Sequence, residues 1–157
     1  MDIKDILDKD KTPIFACIGA KHSFYDNTSN RIGDVLKQHG LNVVLNFNNV
    51  NMKKKLRELD KISRSVNNPQ IIAIDLSHSS KHNNKYYCSK NGIKPGSGIG
   101  RTHKSIGDVS IKVMLNAFEE IKDKIDILVF VSKEEGNKEI FKTEKHITDT
   151  ICTFYNV

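Results

Sequence analysis

The sequence predicts an α/β fold, a single parallel or mixed sheet with helices on both faces. Three observations carry the prediction. Short apolar runs of strand length alternate with stretches whose apolar residues recur at helical spacing. Two of those runs each deliver an aspartate, Asp26 and Asp75, into a loop. A glycine-rich turn, Gly92-Ile-Lys-Pro-Gly-Ser-Gly-Ile-Gly100, follows the second.

In order, Pro13 to Gly19 is a buried strand, short, apolar and bounded by Pro and Gly. Ile32, Val35, Leu36 and His39 share one helical face, and Gly40 supplies the stop. Leu41 to Phe47 is a second strand. Met52, Leu56, Leu59, Ile62 and Val66 mark a helix ending before Asn67-Asn-Pro69. Gln70 to Asp75 is the third strand, and its unbroken apolar run Ile71 to Ile74 makes it central in the sheet. Ser77 to Asn91 is polar, with a short strand at Lys85 to Ser89. Ile111, Met114, Ala117, Phe118 and Ile121 fit a helix that Asp108 caps. Ile125 to Val131 reads as another buried strand. Lys138 to Phe154 returns to helical spacing through Ile140, Ile147, Ile151 and Phe154.

At 157 residues the chain is read as one domain, 1–157, able to bury a real core. No apolar run approaches the roughly 20 residues that span a bilayer, and the charged start Met1-Asp-Ile-Lys-Asp-Ile-Leu-Asp8 lacks a secretory core. A cytoplasmic protein without membrane partners is expected. Cys17, Cys88 and Cys152 are odd in number and unpatterned, so neither a disulfide framework nor a CxxC metal site is indicated. Cys17 is a small hydrophobe of a buried strand, with a nucleophile as the alternative. The net charge of +6 is spread over a Lys- and Asn-rich chain, and Glu58 and Asp60 follow at once on the densest basic run, Lys53-Lys-Lys-Leu-Arg57. A solvated surface, not a nucleic-acid site, is the reading, with weak phosphate attraction still expected.

The chemistry rests on the two aspartates. Ligands of open α/β sheets bind outside the carboxyl ends of the strands. Two carboxylates meeting there would split their titrations and leave one acid and one base. Asp26, in Tyr25-Asp-Asn-Thr-Ser-Asn30, is equally suited to a turn or a helix cap. Asp75 is harder to explain as structure, because an unpaired charge at a central strand's end is costly. The run Pro95 to Gly100 is neither a Walker A nor a dinucleotide fingerprint. It suits a cleft wall or an anion-binding nest, or a flexible loop. His78, His82 and His103 lie in the surrounding loops, solvated or, with the aspartates, a mixed nitrogen and oxygen metal set. The leading reading assigns no metal and no cofactor.

The segments Ala16-Cys-Ile-Gly19 with Asp26, Ile71-Ile-Ala-Ile-Asp75, Gly92 to Gly100 and Ser105-Ile-Gly-Asp-Val-Ser-Ile111 resemble the YyaC-type sporulation proteins of spore-forming Firmicutes, from about Ile14 to Asn116. These are similar to the spore germination protease and the hydrogenase maturation endopeptidases. The resemblance implies a three-layer, phosphorylase/hydrolase-like α/β/α sandwich with a mixed, mostly parallel sheet, and a sporulation-associated peptidase. It places the catalytic pair on Asp26 and Asp75, and Gly96, Ser97, Gly98 and Gly100 against a protein or peptide substrate, such as small spore proteins. It also implies a forespore or mother-cell compartment. The chain departs from the family in Phe24-Tyr-Asp-Asn-Thr-Ser-Asn30, where a Thr-Gly-Asp-Ser-Leu-Gly-Pro-like turn is usual, and in Ala20-Lys21 and Leu76-Ser-His-Ser79. Those changes keep two rivals open: a non-catalytic sporulation binding or regulatory protein, and a metal-binding protein of the same fold.

Overall fold

Strand β1 (Thr12–Ile18) is apolar throughout its second half and pairs in parallel with both β2 (Asn42–Phe47) and β3 (Pro69–Ser77). A computed structural model describes residues 1–21, 24–77, 84–94, 104–114 and 129–157, with only the backbone of 129–137. Beyond β3 run β5 (Val109–Met114), parallel to it, and β4 (Tyr86–Ser89), antiparallel to β5. The sheet order is β2-β1-β3-β5-β4, so β3 is central, as its apolar run predicts.

One face of the sheet carries Phe15, Cys17, Ile72, Ile74, Ile111 and Val113, the alternate residues of three strands. Against them pack α1 (Ile3–Ile6), α2 (Thr28–Gln38) and α4 (Val129–Tyr155). The other face carries Ile14, Ala16, Ile18 and Ala73, covered by α3 (Met52–Ser65) and by Ile93 and Ile106, which pair across the ends of the glycine-rich segment. The result is the expected three-layer α/β/α sandwich with a mixed, mostly parallel sheet. Among the described residues no helix is long and apolar enough to cross a membrane.

Local chemistry sets the boundaries. Asp2 caps α1, its carboxylate accepting from the Ile3 amide at 2.7 Å while Asp5 accepts from the Asp2 amide. Gly40, at φ +84°, ends α2 in a conformation that favours glycine. The buried stripe of α2 is Ser29, Ile32, Gly33 and Leu36, whereas Val35 and His39 face outward. Gly33 is there for closeness: a Cβ would lie 2.6 Å from Cys17 Sγ and from a Leu45 methyl. The basic run of α3 lies largely on its solvent face, with Lys55 3.3 Å from Glu58.

Two expected elements are corrected. Residues 109–114, expected to open a helix, form β5. Val109, Ile111 and Val113 alternate with Ser110 and Lys112, and that period of two fits the vacant edge of β3. Asp108 accordingly caps no helix. Its carboxylate accepts from the Ile71 amide at 2.9 Å, and its own amide donates to the Ile71 carbonyl at 2.8 Å. Val129 to Val131, expected to end a strand, open α4 instead. A short apolar run fits a buried strand and a buried helix alike, and length alone separates them. The rest of both expected elements, residues 115–128, lies outside the described residues.

Candidate functional site

The chain leaves β1 through a sharply packed corner. The Gly19 amide donates to the Phe47 carbonyl of β2 at 2.8 Å, and the Ala20 amide donates to the Asp26 carbonyl at 3.2 Å. A Cβ on Gly19 would lie 2.0 Å from that carbonyl oxygen, so only glycine lets the Asp26 turn fold back onto the strand end. The buried Ser29 hydroxyl at the start of α2 donates to the Ile18 carbonyl, and Asn30 accepts from the Asn46 amide at 2.8 Å. Gly19→Ala is expected to cost about 1–3 kcal/mol of stability, read from chemical denaturation, because the turn must move to make room.

A second anchor comes from the far end of the sequence. Arg31 on α2 donates from Nε to Glu144 of α4 at 2.7 Å, from Nη1 to the Phe24 carbonyl at 2.6 Å and from Nη2 to Thr28 Oγ1 at 3.2 Å. Its guanidinium lies over the Phe24 ring, 4.3 Å from the centroid, and Phe24 meets Phe141 edge-on. One side chain thus fastens both ends of the turn that presents Asp26 to α4. Asp26 itself is exposed.

Asp75 occupies the neighbouring strand. It lies within β3, two residues before the strand's end and not beyond it, on the face of Ala73 and next to Lys112 of β5 in the strand register. Asp75 is half-buried, and its Oδ1 accepts from the Leu76 amide at 2.8 Å. Burial pushes its carboxyl up to about 7. The Leu76 amide and the Lys112 ammonium oppose that push, and the negative charge of Asp26 adds to it. Asp26 is therefore close enough to be felt at Asp75.

The topology places the two aspartates at adjacent strands of the sheet. From β1 the chain turns to β2 through α2 on one face, and from β2 it reaches β3 through α3 on the other. β1 and β3 thus flank the point where the winding reverses, where doubly wound sheets open a crevice at their carboxyl ends. Asp26 follows β1 and Asp75 belongs to β3, one on each side of it. A carboxyl that gains and loses its proton near neutrality beside a second carboxylate can act as an acid toward a bound carbonyl while its partner takes a proton.

The other sequence-predicted groups divide. Gly96, Ser97, Gly98, Gly100, His78, His82 and His103 lie outside the described residues. Gly92 and the flanking Ile93 and Ile106 are described; the pair is joined by two backbone hydrogen bonds of 2.8 and 2.7 Å on Asp75's face of the sheet. Among the described residues no group of three His, Cys, Asp or Glu could hold a metal ion. Cys17 is fully buried on the opposite face, and burial with the nearby Asp34 pushes its thiol up, which suits a core residue and not a nucleophile. Sequence reasoning missed Lys112, because a helix was expected there; the alternation of Val109 to Val113 was the available signal. It also missed the Arg31–Glu144 pair, for which a single sequence carries none.

A family model described as protein of unknown function (DUF1256) matches residues 2–150. No curated protein and no solved structure matches the chain.

Proposed function

The chain belongs to the DUF1256 family, and we propose that it is a sporulation-associated, spore protease-like peptidase that uses Asp26 as its base and Asp75 as its acid. The exposed Asp26 takes a proton from a water as the water oxygen attacks a peptide carbonyl carbon. The protonated Asp75 donates to the carbonyl oxygen. Asp26 then passes its proton to the departing amine nitrogen as the carbon–nitrogen bond breaks, and the collapsing diol hydroxyl returns a proton to Asp75. The observation that supports this reading is the placement of Asp75: a carboxyl held near neutrality within a central strand, at the winding reversal, feeling a second carboxylate. Resemblance in the motifs around both aspartates supplies the substrate class, a protein or peptide such as the small basic spore proteins, and the sporulating cell as the setting. Gly96, Ser97, Gly98 and Gly100 are assigned to the substrate strand on that resemblance alone.

The proposal fixes a pH dependence. Asp75 acts in its protonated form, so cleavage should fade as pH rises through about 7. Purified protein incubated with small basic spore proteins on the acid side of neutrality should give discrete fragments by mass spectrometry, and Asp75→Asn should give none. Equal fragmentation by the variant, or no fragments from the unaltered protein, removes the peptidase reading.

A further inference from the structure

Among the described residues, Asp75 has one cationic neighbour on its own face of the sheet. In the β3–β5 register Asp75 stands beside Lys112, and on the far side of Lys112 stands Tyr87 of β4. All three residues project on the face of Ala73 and Ser110, since Ile74, Val113 and Cys88 belong to the opposite cluster. Lys112 is half-buried two residues before the end of β5, as Asp75 is before the end of β3.

Strand β1 and the turn after it flank Asp75 on its other side. From β1, the strand on its other side, Ala16 and Ile18 share its face and carry no charge. From the turn after β1 comes Asp26. Helix α2 packs on the opposite face through Ile32 and Leu36, and Cys17 lies there too. Among the described residues, then, one cation and one anion act on Asp75. The ion pairs among those residues include none that joins Asp75 to Lys112. The lysine acts on Asp75 through its field, without a salt bridge to the carboxyl oxygens.

We propose that Lys112 is a positioning residue of the candidate site, set beside Asp75 across the β3–β5 pair so that its charge offsets that of Asp26. The inference rests on the reading of Asp26 and Asp75 as the working pair, and it adds a third member. Two carboxyl groups brought together with nothing opposing them would lock one in its neutral form through and beyond neutrality. A carboxyl so locked donates a hydrogen bond but cannot cycle its proton within a turnover. Against burial and the Asp26 charge, the Leu76 amide and then Lys112 pull Asp75 back toward the range where both forms are populated. A bidentate bridge would have had the opposite effect, occupying the oxygens that the reaction needs.

The test is a carboxyl carbon NMR titration of Asp75, assigned by loss of its resonance in Asp75→Asn. The midpoint expected for the unaltered protein is about 7. Lys112→Met should move it upward by roughly half a unit to one unit, because a single charge at this range contributes on that scale. Lys112→Arg should hold it near the original value. Lys112→Gln, neutral and polar, serves as a second removal of charge and should behave as the methionine variant does. An unchanged midpoint in a folded neutral variant overturns the proposal, and so does an arginine variant that titrates like the neutral ones. Failure of both neutral variants to fold also overturns it, since Lys112 would then hold the sheet together and not tune the site. The titration needs no substrate, so a negative cleavage assay leaves its result legible and speaks only to the peptidase reading.

Discussion

Asp75→Asn is expected to make the protein more stable at pH 8, by up to about 4 kcal/mol, while removing any cleavage. The unfolded chain holds this carboxyl at the ordinary value of 3.8, and folding raises it to about 7, chiefly through burial. A group raised by folding contributes stability that is fully present below its unfolded value and is lost as pH rises through its folded one. Stability from Asp75 therefore declines between about pH 4 and pH 7 and is gone above. Asparagine is neutral throughout and still offers an oxygen to the Leu76 amide, the bond that Oδ1 makes at 2.8 Å. The gain should be largest at pH 8 and vanish near pH 4, which denaturant titration of both proteins at the two pH values would reveal. In a chain of this size each kcal/mol moves the melting temperature by about 2–4 °C, so the difference is readily measured. A variant less stable than the original at pH 8 would show that Asp75 is held by favourable contacts, as a structural residue is. Stability gained where activity is lost is the signature of a site kept strained for its chemistry.

The second large effect is expected at Arg31. Glu144 is only 6 % exposed, and burial pushes its carboxyl up even with Arg31 alongside. Arg31→Met would leave that carboxylate without its cation, at a cost of about 3–5 kcal/mol. The same change removes the donors to the Phe24 carbonyl and Thr28 hydroxyl, so the turn carrying Asp26 loses its tie to α4. Pairing Arg31→Met with Glu144→Leu should recover most of the stability, because an apolar pair of similar volume replaces the buried ions. It should not recover the turn, since the bonds to Phe24 and Thr28 come from the arginine alone. Thermal melts of the single and double variants measure the first effect, and amide exchange across residues 24–28 measures the second. Equal exchange in the double variant and the original would relieve Arg31 of any role in presenting Asp26.

The parts legible in the sequence share a cause. Ile71 to Ile74, short and bounded by Pro69 and Asp75, fits a buried central strand, and a carboxylate next in line is conspicuous because few residues there are charged. The stripe of Met52, Leu56, Leu59 and Ile62 fixed α3 in the same way. β5 was illegible because Ile111 and Met114 also suit a helical repeat, and only the open edge of β3 decides for a strand. The apolar run at 125–131 misled for the complementary reason: its last residues continue into a helix whose later turns are plainly amphipathic. Asp75 was visible, but not what faces it. Lys112 and the Arg31–Glu144 tether are consequences of strand register and helix packing, which bring together residues with no common pattern along the chain.

An acid–base pair requires that Asp26 and Asp75 share one crevice at the reversal of the sheet. The most direct measurement is the carboxyl titration of Asp75 in Asp26→Asn. Removing the Asp26 charge should lower the Asp75 midpoint from about 7, leaving burial opposed by Lys112 and the Leu76 amide. A midpoint that stays where it was, in a protein that folds normally, would mean that the two groups do not sense each other and that no pair exists.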